Sequence, residues 1–358
     1  MSSLKDRLIK NSTLDYTSSL KDSDIFNEKD MIPTVVPAVN IALSGRVDGG
    51  LVPGLTVIAG PSKHFKTGLG LLLCRAFLEK YEDGIIMFYN NEFGAPPSYW
   101  ESYGIDTDKI VHCPFADMEE LKFDIPKQLQ EIKRDDKVLF FIDSIGNAAS
   151  KKEVEDALNE KSVADMTRAK QMKSIFRIIT PHLTLKDIPM IAINHTYQEQ
   201  GMFPKTIVSG GTGVMYSADN VFIMGRQKDA NGTEIQGWNF VLNIEKSRFV
   251  KEKSKINLKI TYENGIDIYS GILDLAIECG LLVQSGAWYQ LVDLKTGEVN
   301  PAKIRKSAVN AAVLDPIIAS DKFKEFVSNK YRVSSGKMFK EDSTESEAEE
   351  YMESLEDE

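Results

Sequence analysis

Residues Gly60-Pro61-Ser62-Lys63-His64-Phe65-Lys66-Thr67 place a lysine ammonium and a threonine hydroxyl side by side at the end of a glycine-opened loop. The preceding run, Leu55-Thr56-Val57-Ile58-Ala59, is short, apolar and β-branched and reads as a buried strand. Thr67 through Lys80, rich in Leu and long side chains, reads as a helix. In a strand–loop–helix of this kind the loop N–H groups and the helix N-terminus converge on one point, where an anion can sit. Lys66 then reaches the β- and γ-phosphates of a nucleotide, and the Thr67 hydroxyl ligates Mg2+. Phe65 stands where the usual pattern, G-x-x-x-x-G-K-S/T, has its second glycine. Taken alone, the segment also reads as an ordinary connection with an exposed lysine.

Two further strand ends carry carboxylates. Val138-Leu139-Phe140-Phe141-Ile142 is a buried strand that ends in Asp143, as a Walker-B strand does. At the C-terminal end of a parallel strand an aspartate faces the crevice where open α/β sheets bind ligands, and there it can hold Mg2+ beside the phosphates. The bland alternative is a turn former or helix cap. Ile85-Ile86-Met87-Phe88-Tyr89 runs into Asn90-Asn91-Glu92, and a carboxylate there can polarise the water that attacks a γ-phosphate. Alone, Glu92 reads as a solvated loop acid. Three strand ends at one phosphate site favour the catalytic role.

These ends need a sheet to position them. With 358 residues and 42% hydrophobic content, the chain can build one large core and smaller appendages. It has no apolar run of membrane-spanning length and no apolar stretch at its N-terminus, so a soluble, cytoplasmic protein without membrane contact is expected. Cys74, Cys113 and Cys279 lie far apart, which fits reduced thiols and not a disulfide framework or zinc site. The net charge of −10 is concentrated: residues 341–358 hold ten acids and no base, leaving 43 acids against 43 bases elsewhere. An acidic average therefore does not exclude nucleic acid. The tail is expected to be disordered. It serves solubility, competes with an anionic ligand, or docks a basic partner; composition does not separate these.

Along the chain, residues 1–32 read as an N-terminal arm for oligomerisation and 33–268 as the core. Residues 269–340 read as a small C-terminal α/β domain. From about 38 to 265 apolar strands alternate with helical stretches, the α/β pattern of a mainly parallel sheet with right-handed crossovers. After Asp143, strands are expected at Met190–Asn194, Asn220–Met224, Trp238–Ile244 and Lys255–Tyr262, and the sheet should finish antiparallel because the later links are short. Leu273–Leu282 is expected to be helical, Gly286–Val292 a strand, and Lys303–Lys306 and Lys322–Phe326 basic helical surface. Residues 145–165 and 196–213 break the regular pattern and leave the ligand-binding edge, which favours a binding role over a plain surface loop. Gly210-Gly211-Thr212-Gly213 offers backbone N–H groups to a second phosphate.

Together, GPSKHFKT at 60–67, FYNNEFG at 88–94, FFIDSIGN at 140–147, DMTRAK at 165–170, AINHT at 192–196, GGTG at 210–213 and NIEKSRFVKEKSK at 243–255 resemble the RecA-type strand-exchange ATPases. Within them the likeness is to the UvsX-type recombinases of T-even-like bacteriophages, which carry an aromatic at the Phe65 place. It covers nearly the whole chain. It implies a RecA-like P-loop core that binds ATP and Mg2+. Loop residues 60–67 would cradle the phosphates, Glu92 would activate water, and Tyr99 and Tyr262 would flank adenine. His195 would sense the γ-phosphate, and Lys246 and Arg248 would reach the ATP of a neighbouring protomer. Without the family, those two bases read as a solvated strand face. Residues 145–165 and 196–213 match the DNA-binding loops, with Arg168, Lys205, Gly210, Gly211 and Thr212 as DNA contacts. Asn90 departs from the acid common at its place.

The implied activity is ATP-dependent strand exchange by helical filaments on single-stranded DNA, paired with homologous duplex, for recombination, repair and replication in a phage host's cytoplasm. A single-strand-binding protein and a recombination mediator are the expected partners. The competing readings are a ring helicase motor on the same core, for which no ring-forming domain is visible, and a non-catalytic filament accessory protein, against which Lys66, Thr67, Asp143 and Glu92 speak.

Overall fold

The computed structural model describes residues 3–25, 30–159, 167–199, 201, 205–231 and 234–333. Parallel strands β1 (Gly54–Ala59), β2 (Ile85–Asn90), β3 (Ile110–Pro114), β4 (Val138–Asp143) and β5 (Pro189–Asn194) form one half of a nine-stranded sheet. A short hairpin, β6 (Thr196–Gln198) and β7 (Thr206–Val208), precedes the long strands β8 (Asn220–Asn231), β9 (Glu234–Ser247) and β10 (Lys255–Thr261), with β11 (Gly265–Ile266) at the edge. The order is β11-β10-β9-β8-β1-β5-β4-β2-β3. β8 joins β1 in parallel, and β9, β10 and β11 then add antiparallel, the finish expected from short connections.

Alternation along the strands sorts side chains to two faces. In β4, Leu139 and Phe141 pack on one side while Phe140 and Ile142 pack on the other, and Phe88 and Tyr89 divide likewise in β2. Helices α1 (Leu4–Lys10), α2 (Pro37–Ser44), α3 (Lys66–Lys80) and α4 (Pro97–Glu101) precede β3; α5 (Met118–Glu131), α6 (Lys151–Leu158), α7 (Thr167–Leu185) and α8 (Thr212–Ser217) follow it. Leu69, Leu72, Leu73 and Phe77 of α3 cover the Phe141 face. Leu121, Ile125, Phe176 and Ile179 of α5 and α7 cover the Phe140 face. Close contact requires Gly70 in α3, since a Cβ there would meet the Phe141 ring at 2.6 Å. Phe141 is fully buried, so truncating it to Ala would cost about 3–5 kcal/mol.

α1 buries none of its residues, and Leu4, Leu8, Leu14 and Leu20 are all exposed. Beyond the sheet, α9 (Ile272–Glu278) is shorter than the expected helix: Gly280 turns left-handed at φ 71°, and Leu282 instead opens β12 (Leu282–Ser285). β13 (Trp288–Leu291) is the core of the expected 286–292 strand. The 303–306 stretch departs from the helical expectation, because Ile304–Arg305 forms β14, paired with Trp288 and Tyr289. α10 (Ala311–Ala319) and α11 (Asp321–Tyr331) complete the described chain. Leu314, Phe323 and Val327 join the α3-side core, so this region shares apolar packing with the sheet. The acidic stretch 341–358 lies outside the described residues, as do residues 160–166, 200 and 202–204 of the two long connections.

Candidate functional site

β1 delivers the chain to Gly60, and α3 begins at Lys66 with no side chain capping its N-terminus, which leaves first-turn N–H groups directed at the loop. Lys63 and Phe65 adopt left-handed backbone, with φ of 59° and 58°. A non-glycine residue there costs about 1 kcal/mol. Phe65 offsets this by stacking on Phe240 of β9, ring centroids 5.3 Å apart, a contact worth about 0.5–1.5 kcal/mol. The aromatic thus fixes the bend that a glycine would merely permit. A Cβ at Gly68 would meet the Phe65 ring at 2.4 Å, so the small residue lies one turn into α3. Lys66 is buried, and its ammonium donates to the Pro61 carbonyl at 2.8 Å. Burial pulls its pKa down, opposed by Glu92 and Asp143. His64 Nδ1 sits 2.8 Å from the Ser62 carbonyl.

Asp143 ends β4 beside this loop. Thr67 Oγ1 donates to its Oδ2 at 2.8 Å, joining the two sequence signals. The other oxygen, Oδ1, is buried without a hydrogen-bond partner. Burial raises the Asp143 pKa to about 6, with the nearby Glu92 charge adding to the rise and Thr67 opposing it. A buried, unpartnered carboxylate oxygen next to a threonine hydroxyl fits a hard cation and its water.

Glu92 follows β2. Its Oε1 accepts from Ser144 Oγ, from Asn147 Nδ2 at 3.1 Å, and lies 2.8 Å from His195 Nε2. The His195 hydrogen bond, with Ser144 and the charge of Lys66 behind it, outweighs burial and holds the carboxyl below its ordinary range. Asn90 shapes the turn: its Oδ1 accepts from the N–H groups of Glu92 and Phe93, at 3.1 and 2.9 Å. An amide oxygen does this without adding a charge. Gly146 is required where it stands, because a Cβ would meet the His195 ring at 2.4 Å. Ser144, Asn147 and the Asn90 role were not read from the sequence; a hydroxyl immediately after the Walker-B aspartate was the available signal.

Arg168 lies on α7 with its guanidinium turned inward. It donates to the carbonyls of Ala148 (2.7 Å), Ile145 (3.2 Å) and Gly146, and to Ser209 Oγ (3.2 Å). It therefore ties the start of the 145–165 connection to the end of the 196–213 one. Lys205 is exposed at the loop end of the β6–β7 hairpin, where its carbonyl accepts from the Glu199 N–H at 2.8 Å. Gly210 and Gly211 take positive φ (89° and 73°), and a Cβ at Gly210 would collide with Met172 at 2.0 Å. Thr212 opens α8.

Lys246 and Arg248 stand at the far end of β9. Lys246 donates to the carbonyls of Met215 (2.8 Å) and Tyr216 (3.1 Å) at the end of α8. Arg248 pairs with Asp219 at 2.5 Å, and Asp219 also accepts from the Leu55 N–H. Tyr99 meets Tyr103 edge-on, centroids 5.6 Å apart. Tyr262, just past β10 and exposed, accepts from the Trp238 indole at 2.9 Å.

The RecA N-terminal domain family matches residues 16–267. The chain belongs to the RecA family. It is 52% identical over 302 residues to the recombination and repair protein of Enterobacteria phage T4, covering 84% of this chain and 77% of that protein. It is 27% identical over 281 residues to the RecA protein of Bacteroides thetaiotaomicron, covering 77% and 82% respectively, and 25% identical over 272 residues to that of Cutibacterium acnes, covering 75% of each. The RecA fold that the motif resemblance implied is thereby established, and with it a recombinase driven by ATP. Among the described residues no helix is long and apolar enough to cross a membrane.

Proposed function

We propose that this chain polymerises on single-stranded DNA, binds Mg2+–ATP at the crevice between β1, β4 and β2, and pairs the coated strand with a homologous duplex. The observation that carries this reading is the meeting of Lys66, Thr67, Asp143 and the Glu92–His195 pair at one edge of the sheet. Lys66 and the uncapped start of α3 would bind the β- and γ-phosphates, and Tyr99 and Tyr262 the base. Thr67 and Asp143 would hold Mg2+, which when bound neutralises charge developing on the phosphate oxygens. Glu92, kept ionised by its donors, would orient and polarise the attacking water. His195, on the same carboxylate oxygen, would register whether a γ-phosphate is present and pass this to the 196–213 connection that begins beside it.

Lys246 and Arg248 would reach the ATP of the next protomer, leaving their present carbonyl and carboxylate partners. A cation supplied by a neighbour stabilises phosphoryl transfer only in the assembled state. Contacts of this head-to-tail type grow helically when they do not close. The exposed leucines of the N-terminal arm support contact with a neighbouring copy. Lys205, Gly210, Gly211 and Thr212 would meet the DNA backbone, with Arg168 bracing both loops and giving salt-sensitive, sequence-tolerant binding. A single-strand-binding protein and a mediator would share the strand, in the host cytoplasm. The test is ATP hydrolysis with and without single strands, together with electron microscopy. Hydrolysis stimulated by DNA, lost in Lys66→Ala, with filaments in ATP, is expected. Closed rings would indicate the helicase motor, and no turnover an accessory protein.

A further inference from the structure

β8, β9 and β10 form a ribbon that outruns the parallel sheet. Ala59, the last residue of β1, is level with Ile223, yet β8 continues to Asn231. At about 3.3 Å per residue the ribbon stands more than 20 Å past the strand end from which the phosphate loop departs. On it, Arg226 extends to the loop and donates from Nη1 to the Lys63 carbonyl at 3.0 Å. The same guanidinium lies over the Trp238 ring, 4.3 Å from its centroid. The Trp238 indole N–H donates to the Tyr262 hydroxyl at 2.9 Å, and Tyr262 is 71% exposed. A continuous run of contacts thus joins a solvent-facing aromatic ring to a loop peptide held in left-handed backbone.

We infer that Arg226 and Trp238 are positioning residues that set the base-side ring of Tyr262 and the phosphate loop at Lys63 in one fixed relation, so that the base and the triphosphate of a nucleotide are bound as a unit. The inference rests on the nucleotide reading of the loop. Three features carry it. An exposed arginine has little reason to be ordered, yet this one is held by a ring face and a carbonyl at once, a combination suited to guanidinium and not to ammonium. The indole N–H is spent on a hydroxyl that would otherwise bond water, which fixes the Tyr262 ring. Finally, the register sets Ile260 beside Trp238 and Phe240 beside Arg226, so the ribbon that carries the relay also carries the Phe65 stack. The loop is therefore held from outside at two points, Lys63 and Phe65.

Trp238→Phe removes the indole donor and keeps a ring under Arg226. Tyr262→Phe removes the acceptor and keeps the ring that would meet a base. Trp238 is half-buried at the core's edge and Tyr262 is exposed, so neither change empties an enclosed site. Dissociation constants for ATP and for inorganic tripolyphosphate, measured by calorimetry with Mg2+ and without DNA, separate the base from the phosphates. Trp238→Phe should weaken ATP about three- to tenfold, the span of one lost hydrogen bond, and leave tripolyphosphate unchanged. Adding Tyr262→Phe should cost nothing further, because both changes break the same contact. Arg226→Lys should weaken both ligands. If ATP binding is lost in Lys66→Ala but is untouched by Trp238→Phe, or if the Trp238 and Tyr262 losses add in full, the relay is wrong while the nucleotide site stands. If ATP binding ignores Lys66→Ala, the nucleotide site and the relay fall together.

Discussion

Glu92 Oε1 and His195 Nε2 meet at 2.8 Å although 103 residues separate them in the chain. The sheet order explains it: β2 and β5 flank β4, so the turns after Asn90 and Asn194 lean toward each other across the end of the Walker-B strand. Ser144, from that middle strand, donates to the same Glu92 oxygen. The carboxylate is therefore held from the ends of the next two strands of the sheet, β4 and β5, and any displacement of His195 moves a donor off the group assigned to activate water.

Glu92→Gln should lower ATP turnover by about 10²–10⁴-fold while leaving ATP binding and filaments intact. The amide keeps the shape and an acceptor oxygen but does not polarise water as a carboxylate does. Steady-state hydrolysis beside nucleotide binding checks this. Turnover at the wild-type rate would remove Glu92 from the chemistry.

The Asp143 carboxyl, raised to about 6, makes a second prediction with a definite sign. Its folded pKa lies above the unfolded value, so the folded chain holds this proton more tightly. The group favours folding most below the ordinary carboxylate range, and that contribution is lost as pH rises through about 4 to 6. A cation binds only the deprotonated form. Mg2+–ATP affinity should thus fall on acidification, about fourfold between pH 7.5 and 5.5 from this group alone. Asp143→Asn should bind more weakly at pH 7.5 and lose that component of the slope, since protonation of ATP itself is common to both proteins. Equal slopes would mean that Asp143 does not meet the cation.

The chemistry of the site was legible because strand, loop and helix each announce themselves locally. Val138–Asp143 and Gly60–Thr67 could be read without knowing their neighbours, and they are joined by the Thr67–Asp143 bond. What sequence left dark depends on pairings distant in the chain. Phe65 violates the glycine pattern, and only its stack on Phe240, set by the β9 register, accounts for it. Arg168 was read as a contact for DNA; its half-buried guanidinium fastens three carbonyls of the 145–165 connection and the Ser209 hydroxyl of the 196–213 one, pairings that no local pattern announces. In the C-terminal region apolar spacing suited a helix through Leu282, but Gly280 ends it and the chain returns as a strand.

Lys246 and Arg248 are engaged within their own protomer, by the end of α8 and by Asp219. If they serve a neighbour's ATP, filament assembly must exchange these partners. Lys246→Ala and Arg248→Ala should each reduce DNA-stimulated turnover, and mixtures of Lys246→Ala with Glu92→Gln protein should recover part of it. One interface in such a mixed filament joins an intact Glu92 to an intact Lys246. Absence of recovery at every mixing ratio would place the basic pair in its own protomer's service.

The ten acids of residues 341–358 create a negative field that fades within about 8–10 Å at physiological salt. On the same chain, they can compete with phosphates for basic surface such as Lys303, Arg305 and Lys306. Arg305 there lies over the Trp288 ring, 5.1 Å from its centroid, and Trp288 is itself 40% exposed, so cation and ring face are presented together. Removing residues 341–358 should therefore strengthen DNA binding, most of all for duplex, which a searching filament must hold loosely. The gain should shrink as salt rises, because screening weakens the competitor along with the ligand. Binding isotherms for single- and double-stranded DNA at several salt concentrations decide it. A duplex affinity unchanged at low salt would leave the tail to solubility or to docking a basic partner.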